Sequence, residues 1–303
     1  MRLRDILILC LVAFLWGFNF IVIRWGLDAF PPLLFSALRF AVCLVPIAFG
    51  VARPKIPWSQ LLLLGTTLGL LVFALLYLGI HFGLGAGLAS VVMQAQVFFT
   101  LLLAGVVLGE ELTGRAIVAS LVALLGLVLI ATGGDASFTV LGFGLTLGGA
   151  FAWGVSNVLM KRLPPVNALN LMVWISLVPP LPLLLASYVF EGPEAISTAL
   201  QGVSLPGTLT ILYTSAVSTI FAYGVWGNLM QKYSASRVAP FALLVPVAGL
   251  ASARFFLGAE LNTAEWLGAV GILLALVINT VGQRRHFAPP LLETHHSLAA
   301  RKH

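Results

Sequence analysis

Long apolar runs recur along the whole chain, and each is bounded by glycine, proline or charged residues. A helix needs about 20 apolar residues to cross the hydrocarbon core of a bilayer, which is about 30 Å thick. No stretch alternates apolar and polar residues over several positions, so the pattern predicts helices and argues against membrane β-strands. The predicted spans are Asp5–Trp25, Leu33–Val51, Leu61–Ile80, Leu84–Leu108, Ala116–Thr132, Val140–Met160, Leu169–Val189, Thr208–Met230, Val238–Leu257 and Ala264–Val281.

The first run follows a short basic segment, Met1 to Arg4, as the core of a signal peptide does. It continues as far as Arg24 without a small-residue cleavage site, whereas a signal core has roughly 7–15 residues. We therefore expect a retained first helix.

Lysine and arginine collect in the loops on one side of the predicted bundle. Of the 16 basic residues, all but Arg24, Arg39 and Arg254 fall on that side. The opposite loops hold acidic residues, namely Asp28, Asp135, Glu191, Glu194, Glu260 and Glu265. Because basic loops stay in the cytoplasm, we predict two cytoplasmic termini and hence an even number of spans. The expected location is the bacterial inner membrane.

The composition supports lipid as the main solvent of the surface. The chain has 303 residues, of which 60% are hydrophobic and 9% charged, and its mean hydropathy is +1.06. Soluble domains carry roughly 25% charged residues. The net charge of +6 comes from basic residues scattered singly between apolar runs, so it indicates topology and not nucleic-acid binding. Cys10 and Cys43 lie in apolar runs and are expected to pack as small apolar groups.

Two short patterns occur twice. Phe14–Asn19 in the first span is echoed by Phe151–Asn157 in the sixth, and Leu108–Leu112 is echoed by Leu257–Leu261. Each repeat then holds five spans, an odd number, so the two halves must be inverted relative to each other. Inverted repeats are the architecture of many secondary transporters, whose substrate binds near the midplane between the repeats.

The predicted fold is therefore an all-α integral membrane protein with ten transmembrane helices in two inverted five-helix repeats. The first repeat covers residues 1–135 and the second covers residues 136–283. Residues 284–303 have no apolar run and are expected to form a disordered cytoplasmic tail. A metal site at His286, His295 and His296 is the alternative to a solvated tail.

The sequence resembles the EamA branch of the drug/metabolite transporter superfamily over residues 5–283. The motifs that carry the resemblance are Trp16–Phe20, Leu38–Phe40, Gly109–Glu111, Trp153-Gly154 and Gly258–Glu260. Within that branch the most similar members are O-acetylserine/cysteine exporters, through Ala52–Lys55, Gly87–Thr100 and Arg237–Pro240. The resemblance implies ten helices in two inverted repeats and efflux of amino acids or similar metabolites.

Polar side chains inside spans are candidate substrate ligands, because polar groups in lipid are costly and face the bundle interior. Gln94 and Gln96 are mid-span and point about 200° apart on a regular helix, so one is expected to face a cavity and the other a neighbouring helix. Asn19 and Asn157 occupy near-equivalent places in the repeat. They either bind substrate or form a hydrogen bond between helices.

Aromatic side chains with polar groups suit an amphiphilic solute. Trp16 and Trp153 match across the repeat, and Tyr77, Trp174 and Tyr223 add to the candidate set. Helix packing or anchoring at the membrane interface is the alternative for each of them. His81, near the outer end of the third span, is a candidate gate or proton sensor, with a hydrogen-bonded loop histidine as the alternative.

Arg39 is the basic side chain that lies well inside a span. Two interpretations stay open, since it can bind a substrate carboxylate or extend to phosphate headgroups. No Asp or Glu lies near the middle of a predicted span. Proton-coupled pumps use such carboxylates as relays, so we predict a facilitator that lets its solute run down a gradient.

The predicted function is export of amino acids or related small metabolites by alternating access, without ATP and without a cofactor or metal. The alternatives are a transporter of phosphorylated metabolites or nucleotide sugars, a proton-coupled antiporter, and a channel or receptor. The chain lacks the H-E-x-x-H, G-x-S-x-G and P-loop motifs, so it is not predicted to be an enzyme. Gly65 and Gly69 form a small-residue face that serves either a weak homodimer or packing within a monomer.

Overall fold

The computed structural model describes residues 1–84, 86–111, 113–132, 139–257 and 262–281. The regular structure of these residues is helical, with no strand among them. The second copy of the Leu108–Leu112 pattern and the tail at 284–303 lie outside the described residues.

The described residues contain seven helical segments that are long and apolar enough to cross a membrane, and three shorter apolar ones, Pro32–Ala48, Gly114–Ile130 and Thr263–Ile278. An all-helical membrane protein is therefore confirmed, whereas ten spans stay a prediction. We number the helical segments 1 to 10 in chain order. Segments 1, 5, 6 and 10 are continuous helices, at Leu3–Leu27, Gly114–Thr132, Val140–Arg162 and Thr263–Val281.

The other six segments are interrupted. Segments 2 and 7 each consist of two α-helices, Pro32–Val42 with Val45–Ala48 and Ala168–Ile175 with Pro180–Phe190. Segments 3 and 8 contain a π-helix, in the order Trp58–Leu64, Gly65–Leu71, Val72–His81 and Leu205–Leu212, Tyr213–Tyr223, Gly224–Lys232. Segment 4 consists of Ala86–Met93 and Gln96–Leu108, and segment 9 of Ala235–Val238, the 3₁₀ turn Ala239–Leu243, and Leu244–Leu257.

Proline explains the breaks in segments 2 and 7. Both contain the letters Leu-Val-Pro at the break, at Leu44–Pro46 and Leu177–Pro179. Proline has no N–H for the helical ladder and its ring clashes with the preceding turn, so the chain restarts its helix there. Pro240 has the same effect in the 3₁₀ turn of segment 9. Hydropathy alone predicted uninterrupted spans and did not reveal these breaks.

The segments of the first half pack against segments of the second half. Segment 1 contacts segments 8 and 9, and segment 6 contacts segments 3 and 4; segment 2 packs on segment 7, and segment 5 on segment 10. Two glycines of the repeated Trp-Gly pattern permit the close approaches. A Cβ on Gly17 would lie 2.5 Å from the Cβ of Ala248 in segment 9, and one on Gly154 would lie 2.7 Å from the Cβ of Phe99 in segment 4.

The outside of the bundle is apolar. Large apolar side chains of segments 5 and 10, such as Leu125 and Leu274, are exposed and suited to contact with lipid. The small-residue face of Gly65 and Gly69 packs against Val178 and Pro179 of the same chain. That face therefore serves packing within one molecule in this structure.

A short surface helix, Pro193–Gln201, follows segment 7. Its residues Ile196 and Ala199 pack against a small apolar cluster that includes Phe30 and Phe35, at the turn between segments 1 and 2.

Candidate functional site

Four aromatic side chains meet where segments 1, 6 and 8 converge. The ring of Trp16 lies 5.6 Å from that of Trp153, 4.6 Å from Tyr223 and 5.2 Å from Trp226, measured between centroids. All four are 0 to 6% exposed, so the described conformation is closed at this level. We call these four residues the aromatic cluster. Trp16 and Trp153 are the pair that the repeat predicted to match.

The π-helix of segment 8 supplies polar groups to this cluster. The indole Nε1 of Trp16 donates to the backbone oxygen of Ser218, at 3.1 Å. The hydroxyl of Thr219 donates to the oxygen of Thr214, five residues earlier, at 2.7 Å. Because a π-turn is wider than an α-turn, its polar groups are available to side chains from other segments, which is why π-helices are frequent at functional sites.

Arg39 lies beside the same π-helix, about 10 Å along its helix from Pro32. Its Nε donates to the hydroxyl of Thr219 at 2.7 Å, and its Nη2 lies 3.5 Å from the hydroxyl of Ser218. The guanidinium carbon is 4.3 Å from the ring centroid of Phe73. The side chain is 1% exposed, so it does not extend to lipid headgroups in this structure.

The guanidinium of Arg39 is held by neutral groups. Every carboxylate in the described part of the chain lies at a segment end or in a connection, and the ion pair found there joins Asp5 to Lys232. Nη1 of Arg39 forms no hydrogen bond of normal geometry among the described residues. The hydroxyl of Tyr77 is close enough to the guanidinium for a side-chain hydrogen bond, and Tyr223 interacts with Arg39 electrostatically. The site therefore contains a buried cation that is surrounded by hydroxyls and rings and has no carboxylate partner among the described residues.

Asn157 forms a second polar network. Its Nδ2 donates to Oε1 of Gln96 and to the hydroxyl of Thr100, both at 3.0 Å. Its Oδ1 accepts from Nε1 of Trp226 at 3.0 Å. The side chain of Asn157 thus links segments 4, 6 and 8, as expected for a hydrogen bond between helices, while Nε2 of Gln96 has no partner among the described residues.

Four further residues that the sequence predicted for the site are buried, namely Asn19, Tyr77, Gln94 and Gln96. The angle expected for a regular helix does not apply to Gln94 and Gln96, because segment 4 is interrupted between Met93 and Gln96. The Oδ1 of Asn19, one turn after Trp16, has no partner in the described part. Neither the hydroxyl of Tyr77 nor Nε1 of Trp153 forms a hydrogen bond of normal geometry there.

Two predicted residues lie away from the cluster. Nε1 of Trp174 donates to the backbone oxygen of Val51 at 3.1 Å, and the ring lies 6.2 Å from Trp58. This contact joins segment 7 to the chain that follows segment 2. His81 is exposed at the end of segment 3 and packs edge-on to Phe82.

Polar contacts join the halves at the end predicted to be cytoplasmic. Asp5 pairs with Lys232 at 2.8 Å and accepts a hydrogen bond from the hydroxyl of Tyr233. Lys161 donates to the backbone oxygen of Tyr233 at 2.5 Å. The carboxylate of Glu110 accepts the first free backbone N–H groups of segment 9. Segments 1, 4, 6, 8 and 9 are thereby connected, so this end is closed.

The opposite end is connected by a comparable carboxylate. Glu191, after segment 7, accepts the backbone N–H groups of Leu33 and Leu34 at 2.5 and 3.1 Å, and the hydroxyl of Ser187 at 2.6 Å. It therefore caps the first turn of segment 2, where a helix carries partial positive charge.

An apolar groove of about 980 Å³ lies between segments 1 and 8 at this second end. Phe18, Trp25, Leu209 and Tyr213 are among its lining residues, together with Asp28. None of the residues predicted to bind substrate lines it. Leu209 and Trp25 are exposed, so the groove opens on the lipid-facing side of the bundle.

Several residues at the site were not singled out in the sequence. They are Phe73, Thr100, Ser218 and Thr219. A signal for the last two exists, because segment 8 contains four buried hydroxyls in an apolar run, at Thr214, Ser215, Ser218 and Thr219. Their spacing, with two pairs of residues four apart, places them on one side of a helix, and this side faces the interior in the structure.

Comparison with known proteins identifies the scaffold. Residues 3–132 and 140–281 each match the model of the EamA-like transporter family. A protein of Salmonella typhimurium described as a probable amino-acid metabolite efflux pump is 42% identical over 290 residues, which is 94% of this chain and 97% of that protein. Its counterpart in Escherichia coli, with the same description, is 40% identical with the same coverage.

More distant proteins share the full length. A probable terminal-alkyne amino-acid exporter of Streptantibioticus cattleyicolor is 28% identical over 93% of this chain and 96% of its own. A solved crystal structure superposes with a TM-score of 0.76 and covers 94% of this chain and 99% of that one, at 17% identity. At this identity the similarity concerns the fold alone.

Proposed function

This chain belongs to the EamA-like transporter family, as its sequence predicted, and we propose that it exports amino acids or related small metabolites. It is a multi-pass membrane transporter. The proposed substrate class is supported by three relatives whose descriptions name amino-acid metabolite efflux or amino-acid export. Among amino-acid exporters, the O-acetylserine/cysteine class is the one that the motifs of the chain resemble most.

The substrate site we propose is the aromatic cluster together with Arg39. One observation carries this assignment. The buried interface between the halves holds donor groups without partners, on Arg39, Gln96 and Trp153. Buried polar groups in proteins are nearly always satisfied, so a set of unpartnered donors beside aromatic rings is suited to an amphiphilic solute that supplies the acceptors.

The transport mechanism we propose is alternating access between two inverted repeats of five spans, residues 1–135 and 136–283. Matched interruptions support this, because segments 2 and 7, 3 and 8, and 4 and 9 are irregular in pairs. The contacts between the halves also correspond, because segment 1 packs on segment 9 and its counterpart, segment 6, packs on segment 4. Interrupted helices at repeat interfaces are a recurring feature of transporter substrate sites.

The energy source we propose is the substrate gradient itself. In the described residues, the carboxylates lie at segment ends or in connections, and Asp5, Glu110 and Glu191 take part in pairing or capping. A proton-coupled antiporter would need a carboxylate or another titratable relay along the path. We further propose that the protein works as a monomer or weak homodimer in the bacterial inner membrane, with both termini in the cytoplasm.

The test is uptake into liposomes that contain only the purified protein. A panel of radiolabelled amino acids is supplied without an imposed ion gradient. Gradient-independent uptake that saturates, and that is absent from protein-free liposomes, is the expected result. Uptake only under a proton gradient would overturn the facilitator mechanism. Uptake of sugar phosphates and of no amino acid would overturn the substrate class.

A further inference from the structure

We propose that Arg39 binds the carboxylate of the transported solute, and that the site therefore selects zwitterionic amino acids with a free carboxylate. The proposal rests on the proposed function and specifies how the site recognises its substrate. It is carried by the surroundings of the guanidinium.

Arg39 carries a buried positive charge that its neighbours compensate only in part. A cation buried in the membrane is expensive unless an anion or several hydrogen bonds compensate it. The neutral hydroxyls of Thr219 and Ser218 compensate only one edge of the guanidinium. The described carboxylates lie at the segment ends, so a bound monoanion is the group that would complete the compensation.

The guanidinium of Arg39 is held in one orientation by its neighbours. Thr219 holds Nε, and the ring of Phe73 lies under the guanidinium plane at 4.3 Å. Nη1 forms no hydrogen bond of normal geometry among the described residues, and the hydroxyl of Tyr77 is the neutral group close to the guanidinium. Arginine binds carboxylates through a rigid planar fork. Arg39 is therefore fixed on one edge, and a carboxylate could take the place of a weak neutral contact at Nη1.

The two halves of the chain differ at the position of Arg39. Arg39 lies four residues before Cys43 at the break in segment 2, and Met172 lies four residues before Ser176 at the matching break in segment 7. The two breaks approach each other, since the Cys43 thiol is close to the side chains of Ser176 and Thr219. One half contributes a cation and the other an apolar side chain. A single negative charge fits this arrangement better than a doubly charged phosphate.

The ammonium group of the substrate has a matching environment. Trp16 connects to Arg39 through Ser218, whose backbone oxygen and hydroxyl contact the two side chains. The face of Trp16 and the ring of Tyr223 offer negative π-density to a cation. Asn19, one turn along segment 1, adds a side-chain oxygen without a partner. We assign the ammonium to this side, so recognition of the zwitterion needs no buried acid.

The test compares derivatives that share one side chain. The amino acid that the purified protein transports best is compared in liposomes with its amide, its methyl ester and the amine without the carboxyl group. We expect each derivative to be transported, and to compete, at least about 30-fold less well, because losing one partner of a buried charge pair has effects of this order. Equal transport of the acid and its amide would overturn the carboxylate assignment while leaving amino-acid export intact.

Substitutions at Arg39 test the proposal independently of the substrate derivatives. Arg39→Gln is expected to lose transport of the acid, while Arg39→Lys keeps a weaker preference for the acid over the amide, since it keeps the charge but not the fork. Arg115→Gln, at an exposed arginine of segment 5, is the matched control. An Arg39→Gln protein that still prefers the acid would overturn the proposal. Wild-type protein that transports no amino acid would overturn both this proposal and the function it rests on.

Discussion

The ring of Trp16 meets the ring of Trp153 edge to face, with centroids 5.6 Å apart and an interplanar angle of 79°. The two residues come from the same Trp-Gly pattern in the two halves of the chain. Their positions are not chemically equivalent, however. Trp16 donates its Nε1 to Ser218, whereas Nε1 of Trp153 has no partner in the described part of the chain. The two copies of the pattern thus differ in the hydrogen bonding of their tryptophans.

The Trp-Gly pattern can be tested through packing. Gly154→Ala would place a Cβ 2.7 Å from that of Phe99, so we expect a loss of about 1–3 kcal/mol from overpacking. Gly144 lies in the same helix, and a Cβ there meets nothing within 4 Å. Gly144→Ala should be neutral or stabilising by up to about 1 kcal/mol. Thermal unfolding of both variants in detergent distinguishes them, and an equal melting temperature would contradict the close approach of segments 4 and 6.

The aromatic cluster can be tested by keeping a ring while changing its type. Trp16→Phe retains apolar bulk but offers a weaker face to an ammonium group. We expect apparent affinity for the transported amino acid to fall roughly 2- to 30-fold, in line with a cation–π contribution of about 0.5–2 kcal/mol. Trp266→Phe, at an exposed tryptophan of segment 10, is the control. The apparent affinity of each variant is measured from the saturation of uptake into liposomes. Equal affinities for the two variants would show that Trp16 does not contact the substrate.

The closed end at Asp5 can be tested by labelling a native cysteine. Cys43 is buried at the break of segment 2. Asp5→Asn removes the ion pair with Lys232 and weakens the bond from Tyr233, so this end should open more often. We expect a small maleimide to label Cys43 faster in a Cys10→Ala background, by less than about tenfold because partly exposed ion pairs contribute little.

The control for that experiment is Asp28→Asn, at the opposite end of segment 1. It should leave the labelling rate of Cys43 unchanged when the reagent is added from the Asp5 side. If Cys43 is labelled no faster in the Asp5→Asn variant than in this control, the contacts of Asp5 do not restrict access to the interior.

The orientation of the chain can be tested with two single cysteines. Ser197, in the surface helix, and Ser59, at the start of segment 3, are both exposed. In a background without Cys10 and Cys43, a membrane-impermeant maleimide should label Ser197→Cys in intact cells and Ser59→Cys only after permeabilisation. The reverse pattern would contradict the orientation that the basic loops predict.

Part of this architecture could be predicted from the sequence. The apolar runs predict an all-helical membrane protein, and the Trp-Gly pattern predicts that Trp16 and Trp153 occupy related places. Arg39 was identified as a candidate substrate ligand because a basic side chain well inside an apolar run costs free energy. These signals are local in the sequence or depend only on the medium around the helix.

Other features depend on tertiary packing and have no local signal. The partners of Arg39 are set by how segments 2 and 8 approach each other, which neither helix determines alone. The π-helix at Tyr213–Tyr223 produces the hydrogen bond from Thr219 to the oxygen of Thr214, five residues earlier, which a regular α-helix does not predict. The prolines at the breaks, Pro46 and Pro179, are visible in the sequence, but hydropathy averaged over a span does not reveal the breaks.

The most direct test of the account is an experimental structure of the protein with the amino acid that it transports best. We predict that the bound solute lies between the aromatic cluster and Arg39, with its carboxylate within hydrogen-bonding distance of Nη1 and its ammonium against Trp16 or Tyr223. A solute bound instead in the groove lined by Phe18, Trp25 and Tyr213, with Arg39 still held only by Ser218 and Thr219, would contradict it.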